Sequence, residues 1–320
     1  LDTPISKIDR EKKTITAAEG SEATYDKLLI VTGGSPRTLP FKVEGIIYYR
    51  TLSDYKQLRE LSTTKKQFLV IGGGFIGTEI AAALCLNGVD VTMIFPEDSI
   101  GSRNYPKGLS EFITNYYKDK GISIIANDTV ADISSDADGY KVKTKAGKEL
   151  HFEVIVAGLG ITPNTGFGEA SGLDVDNGFL VDANCRTNDS SIYAAGDVAN
   201  FFNPHLGKHI RVEHEDNANK MGECAGKNMA GIDAAYDYLP YFYSDLFDLG
   251  FEAIGELDAR HEIVTDWQEE NKTGVIYYLE HGRIRGVLLW NVWEKVDRAR
   301  ALIGMSGPYD ASNVKGLVSM

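Results

Sequence analysis

The sequence predicts an α/β fold in which a βαβ crossover sits among strands buried on both faces, followed by a separate C-terminal α+β unit. Three observations carry this reading. Uninterrupted apolar runs, such as Leu28-Leu29-Ile30-Val31, Phe68-Leu69-Val70-Ile71 and Val154-Ile155-Val156-Ala157, suit strands covered on both sides. One of them leads into a glycine turn, an Ala-rich helical stretch and another strand, the span of one βαβ unit. Beyond Tyr236 the pattern changes to strand-like runs at 250–257, 261–267, 274–280 and 284–290.

The elements follow in order. Residues 5–8, 12–17 and 23–31 read as three short strands, and Thr32-Gly33-Gly34-Ser35-Pro36-Arg37 breaks the last of them. Phe68 to Ile71 forms the next strand, Gly72 to Gly77 a turn, and Thr78 to Asn87 a helix that Gly88 stops; Val89 to Phe95 is the following strand. Leu109, Phe112, Ile113 and Tyr116 repeat at helical spacing, with Gly121 closing that helix before a strand at Ile122 to Ile125. Residues 130–152 alternate around Asp138-Gly139 and Ala146-Gly147 as a β-meander. Val154 to Ala157 ends in Gly158-Leu159-Gly160-Ile161-Thr162-Pro163-Asn164, and Ser191 to Ala195 turns at Gly196-Asp197. Val212 to Met229 reads as a helix whose first turn carries Glu213, Glu215 and Asp216, acidic residues suited to the positive end of the helix dipole.

Composition sets limits. A chain of 320 residues suggests two domains and a small third. Its 33 basic against 46 acidic residues give a net charge of −13, which argues against nucleic acid as a partner. By net charge the chain also matches a small acidic electron carrier poorly, although a local basic patch overrides such a total. No apolar run reaches the ~20 residues of a membrane-spanning helix, and Leu1 to Arg10 lack a secretory layout. The expected location is cytoplasmic, although a chain beginning at Leu without an initiator Met reads as processed or as a fragment. Cysteines 85, 185 and 224 show neither CxxC nor metal-ligand spacing, so they read as small, mostly buried apolar residues, with no redox disulfide and no metal expected.

The chemistry concentrates at Gly72-x-Gly74-x-x-Gly77. Such a pattern between a buried strand and a helix has a physical rationale: the first glycine allows the tight turn, the second lets the backbone approach a pyrophosphate, and the third permits close helix–strand packing. A dinucleotide would lie there against Gly72, Gly74, Phe75, Ile76 and Gly77. The next strand ends at Phe95, and Glu97 follows Pro96. An acidic group there accepts bonds from the adenine ribose and repels a 2′-phosphate, which predicts NAD over NADP. A solvated loop glutamate is the plain alternative, and Arg103 raises an NADP alternative.

These segments, taken together, resemble the FAD-dependent pyridine nucleotide-disulfide oxidoreductase superfamily, whose members carry two Rossmann-like dinucleotide-binding domains. Within it the chain is most similar to the apoptosis-inducing factor family and to NADH-dependent ferredoxin and rubredoxin reductases. The matching segments are Leu29 to Arg37, Gly72 to Glu79, Phe95-Pro96-Glu97, Gly160 to Asn164, Ile192 to Asp197, Val212 to Asp216 and Phe242 to Leu246, in the family order over nearly the whole chain.

The resemblance implies roles. Asp197 would bond the flavin ribityl chain, with an Asx-turn or helix cap as its ordinary fate. Arg37 would hold the FAD pyrophosphate, or sit in a surface ion pair. Thr32 and Gly33 would let the backbone pass the cofactor, and Gly160 would adjoin the NAD. Glu213 and His214 open a helix aimed at the flavin, so that its dipole stabilises negative charge there; a structural histidine is the alternative for His214. Tyr243 stands where the family often has Trp, either stacked near the flavin or as a core tyrosine. Glu79 would lie by the flavin and nicotinamide, paired with a lysine from a segment not in this chain, or it is an ordinary first-turn glutamate. Glu79 and His214 are thus the candidate catalytic residues. The family's first GxGxxG, which opens the FAD domain, has no counterpart in this sequence.

The expected architecture is an FAD-binding domain from 1–60 and 180–238, an NAD-binding domain from 61–179 and a C-terminal α+β domain from 239–320 that closes over the flavin and carries a dimer contact. The expected activity is hydride transfer from NADH to FAD, with electrons passed on to a small molecule, a quinone or an electron-carrier protein. A rival reading is an NADH-responsive interaction protein with slow turnover. A third is an NAD-binding fragment without flavin.

Overall fold

The computed structural model describes residues 2–319. Its contacts divide the chain into two compact units, Leu1–Ser35 with Thr162–Phe242 and Pro36–Ile161 with Tyr243–Met320.

In the first unit, strands Ile5–Asp9, Thr14–Ala17 and Glu22–Thr24 form an antiparallel sheet. Strand Leu28–Ile30 pairs in parallel with Ile192–Ala194, and Phe179–Val181 with Ala199–Asn203. The third expected strand, 23–31, is interrupted between Thr24 and Leu28. The interruption places Lys27 at the C-terminal end of helix Glu215–Met229, where its ammonium donates to the Met229 carbonyl at 2.5 Å and so binds the negative end of the dipole. The core packs Ile30, Phe179, Ile192, Ala194, Phe201, Met221 and Ala225. Helix Glu215–Met229 begins three residues later than the expected Val212, so Glu213 lies ahead of the helix and His214 is its N-cap.

The second unit holds a five-stranded parallel sheet in the order Ile47–Tyr48, Val154–Ala157, Gln67–Ile71, Asp90–Ile94, Ser123–Ile125. Phe68, Leu69, Val70, Val156 and Met93 are fully buried, as apolar runs covered on two faces require. Helix Leu52–Thr64 starts in a capping box between Thr51 and Asp54. Helix Phe75–Leu86 begins before the expected Thr78, because the turn glycines occupy fewer residues than the motif. Glu79 is therefore the fifth helical residue and not a first-turn one. The meander appears as Val130–Ser135, Tyr140–Thr144 and Glu149–Phe152. Five antiparallel strands follow in the order Tyr241–Leu246, Leu249–Gly255, Arg283–Trp290, Thr273–Glu280, Glu262–Glu269, packed by helix Val296–Gly304. Residues 36–60, expected with the FAD domain, group here because Ile47–Tyr48 adds a strand to the parallel sheet. Residues 162–179, expected with the NAD domain, group with the first unit, where Phe179–Val181 joins Ala199–Asn203.

Candidate functional site

The fingerprint turn is held by backbone-on-backbone contact. Gly72 has φ +118°, and a Cβ there would lie 2.4 Å from the Gly158 carbonyl oxygen. A Cβ on Gly77 would lie 2.2 Å from the Gly72 carbonyl oxygen. These two glycines lock strand to helix. Gly74 differs: its Cβ direction meets nothing within 4 Å, so the space above the turn is open. Gly74 is the N-cap of helix Phe75–Leu86 and offers no side-chain acceptor, which leaves the first-turn amides to an outside anion. Thr78 turns its hydroxyl inward, donating to Phe75 O at 2.8 Å, and so does not fill that space. The donors and the opening fit a dinucleotide pyrophosphate.

Around this turn the second unit gathers most of the nucleotide candidates. The Phe75 ring lies 6.0 Å from Phe251, and Ile76 is exposed beside it. Gly160 has φ +80° with open space on its Cβ side, and its carbonyl accepts the Arg37 amide at 2.9 Å. The Arg37 side chain is exposed. Glu97 is half-buried past the end of the adjacent strand, and its Oε1 lies 2.5 Å from Nη2 of Arg103. The two residues that argued for opposite nucleotides are therefore partners.

Glu79 is half-buried one turn further along the fingerprint helix. Its Oε1 accepts a hydrogen bond of 2.5 Å from the hydroxyl of Ser244, which is 2% exposed. Burial pushes the Glu79 carboxyl above the usual range, the Ser244 hydrogen bond pulls it back, and the nearby Asp245 carboxylate pushes it up. Glu79 shares the wall of an open groove with Tyr49, Arg50, Ile76, Ile80 and Ala83. Tyr243, next to Ser244, is 61% exposed, which overturns the core-tyrosine alternative.

The first unit assembles the other candidates. Thr32 and Gly33 are laced to Asn164: the Thr32 hydroxyl donates to Asn164 O at 2.9 Å, and the Asn164 amide donates to Gly33 O at 3.0 Å. Gly33 has φ +59°, the left-handed backbone that glycine favours. Asp197 sits in a single turn, Gly196–Val198. Arg211, which sequence reasoning passed over, organises this region. Its side chain is 6% exposed, and Nη2 lies 2.7 Å from Glu213 Oε1. It also donates to the Asp197 carbonyl at 3.1 Å and to Asn177 Oδ1 at 3.3 Å. A charged residue between Ile210 and Val212, just ahead of the acidic motif, was the available signal. The His214 ring stacks on Phe242 at 4.5 Å, with planes 4° apart. Burial depresses the imidazole below its ordinary range, against opposing pulls from the Asp197 and Asp216 carboxylates. Asp216 itself accepts from Tyr238 OH and from the Tyr241 amide, each at 3.2 Å.

A glycine-locked phosphate cradle on a parallel sheet, with a half-buried carboxylate on the same helix, defines a dinucleotide-binding α/β protein. The family model described as pyridine nucleotide-disulphide oxidoreductase matches residues 1–222, and the model for the C-terminal part of mitochondrion-associated apoptosis-inducing factor matches residues 260–305. The chain belongs to the pyridine nucleotide-disulphide oxidoreductase family, whose cofactors are FAD and NAD(H). It is 30% identical to a putative apoptosis-inducing factor 1, mitochondrial, of Drosophila melanogaster, over 97% of this chain and 50% of that protein. It is 33% identical to the ferredoxin–NAD(+) reductase component of the anthranilate 1,2-dioxygenase system of Burkholderia cepacia, over 95% of this chain and 76% of that one. The putidaredoxin reductase of a covalent complex with putidaredoxin superposes with a TM-score of 0.88 at 26% identity, over 94% of this chain and 75% of that one. The chain thus spans half of the fly protein and about three quarters of the two reductases. Among the described residues, no helix is long and apolar enough to cross a membrane.

Proposed function

We propose that this chain serves an FAD-dependent NADH oxidoreductase that passes electrons from NADH to an electron-carrier protein. The observation that carries the reading is the fingerprint turn, where Gly72 and Gly77 are locked by backbone while the Gly74 side stays open over unfilled helix amides. FAD, when bound, supplies acceptance of the hydride from NADH and onward release of electrons.

The chain's own residues bind and orient. Gly72, Gly74, Phe75, Ile76, Gly77 and Gly160 would hold the NAD backbone. Glu97 would accept bonds from the adenine ribose hydroxyls and repel a 2′-phosphate, with Arg103 fixing its carboxylate. Glu79 would orient the nicotinamide. Thr32, Gly33, Arg37, Asp197, Glu213, His214 and Tyr243 would hold FAD, with Arg211 fixing Asp197 and Glu213 in place. Burial lowers the proton affinity of His214 and so favours its neutral imidazole. In this reading the unit of Leu1–Ser35 with Thr162–Phe242 serves FAD, and the parallel-sheet part of the other unit serves NAD.

The carrier protein as acceptor is supported by the similarity to a ferredoxin–NAD(+) reductase component and to a putidaredoxin reductase in complex with putidaredoxin. With a net charge of −13, docking of an acidic carrier would depend on local basic residues. A second reading, an NADH-responsive interaction protein, is favoured by the match of residues 260–305 to the apoptosis-inducing factor C-terminal model.

The test is an anaerobic NADH titration of the full-length protein followed by flavin absorbance. One NADH per flavin should bleach the band, and a band that NADH leaves unchanged refutes the proposal. Turnover with artificial acceptors, alongside particle size with and without NADH, separates the two readings: slow turnover with a size change supports the second.

A further inference from the structure

We propose that Ser244 is the positioning residue for Glu79: its buried hydroxyl pins one carboxylate oxygen and leaves the other presented to the groove. The inference rests on the oxidoreductase reading and assigns a residue that the motif comparison left without a role.

The geometry is specific. Ser244 Oγ donates to Glu79 Oε1 at 2.5 Å across 165 residues of sequence. The bond reaches the carboxylate from a different element of the fold, strand Tyr241–Leu246. Glu79 also lines the open groove, so its carboxyl group has solvent on that side. A carboxylate on a flexible side chain samples several rotamers, and a single charge-assisted bond to a fixed donor selects one of them. The donor is fixed: Ser244 lies in strand Tyr241–Leu246, and its side chain is 2% exposed.

The surroundings explain why such a bond matters. On the same strand, the Asp245 carboxylate repels the ionised form of Glu79. Three phenols lie within electrostatic reach: Tyr49 ahead of helix Leu52–Thr64, Tyr105 ahead of helix Lys107–Asp119, and Tyr117 on that helix. Tyr117 donates to the Thr78 carbonyl at 3.1 Å and so does not compete for the Glu79 carboxylate. Arg50 lines the same groove. Ser244 is the group that favours the ionised carboxylate where burial and Asp245 oppose it. Its removal would both loosen the side chain and make it easier to protonate.

The experiment uses the full-length, flavin-loaded protein in stopped-flow reduction by NADH across a pH series. Ser244→Ala should slow reduction at saturating NADH about tenfold, the scale of one lost charge-assisted hydrogen bond. NADH affinity should stay within about twofold of wild type on the same scale, and the acidic limb of the rate profile should move to higher pH. Ser244→Thr, which keeps the hydroxyl, should restore both. Ser244→Cys, a weaker donor of nearly the same bulk, should fall between and serves if the alanine variant does not fold. Wild-type rate and pH limb in the Ala or Cys variant would overturn the positioning role. Glu79→Ala is run in parallel. If it slows reduction while Ser244 variants do not, only this inference fails; if Glu79→Ala is also without effect, the role of Glu79 in the proposed function fails with it.

Discussion

Gly74→Ala and Gly77→Ala should have opposite effects, because the two glycines do different jobs one turn apart. At Gly77 an added methyl would sit 2.2 Å from the Gly72 carbonyl oxygen and 3.0 Å from its carbon, both backbone atoms of a turn already at φ +118°. Neither partner is a flexible side chain, so the helix must move by about 1 Å, an overpacking cost of about 1–3 kcal/mol or more. At Gly74 φ is −85°, which alanine adopts freely, and nothing lies within 4 Å of the new methyl. The fold there loses only the N-cap preference of glycine over alanine, about 0.5 kcal/mol. In the proposed binding mode that methyl would occupy the path by which a pyrophosphate reaches the helix amides, and displacing the ligand should weaken NADH binding about 10- to 100-fold, or roughly 1.4–2.8 kcal/mol. Thermal unfolding and NADH titration of both variants give the answer. Gly77→Ala should lower Tm by several degrees, while Gly74→Ala should unfold within about 2 °C of wild type and bind NADH poorly. Wild-type NADH affinity in Gly74→Ala, or an unchanged Tm in Gly77→Ala, would refute the division of labour.

Glu79→Ala should slow flavin reduction by NADH and leave FAD content unchanged, measured by stopped flow and by absorbance ratio. Glu97→Ala should cut the kcat/KM preference for NADH over NADPH about tenfold, since it would remove the proposed ribose acceptor and free Arg103 for a 2′-phosphate; an unchanged preference counts against the assignment. His214→Gln should flatten part of the acid limb of stability. The wild-type imidazole is depressed by burial, so the unfolded chain binds this proton first, and the histidine costs stability as pH falls below about 6.5. Chemical denaturation at pH 7.5 and 5.5 would detect the difference, and equal slopes in both proteins would refute it.

The parts of the fold most legible in the sequence were those with a strict local requirement. Strand Gln67–Ile71 and its glycine turn were readable because burial on two faces demands an unbroken apolar run and the crossing of backbones demands glycine. Strand Tyr241–Leu246 is legible only as a motif, since three successive aromatics, Tyr241 to Tyr243, hide the alternation of exposed and buried positions that runs from Tyr243 to Leu246. Helix Val296–Gly304 went unseen because two arginines interrupt its short apolar face of Ala299, Leu302 and Ile303. Helix starts were misplaced at Phe75 and Glu215, both ends whose N-cap makes no side-chain hydrogen bond to announce the boundary. At the site, Gly72, Gly74 and Gly77 needed only local spacing. Ser244 did not advertise itself, because it acts on Glu79 through a contact that only folding creates, across 165 positions; Arg211 left a weak local signal in its charge beside Glu213.

The strand bearing Ser244 is the outermost of its sheet, bonded along one side to Leu249–Gly255. Margins of sheets fray before interiors do, at a free-energy cost well below that of global unfolding. Warming should therefore release the serine, and with it the carboxylate, while the buried strands behind remain zipped. A slowing of flavin reduction would then precede any calorimetric peak, and gentle cooling would reverse it.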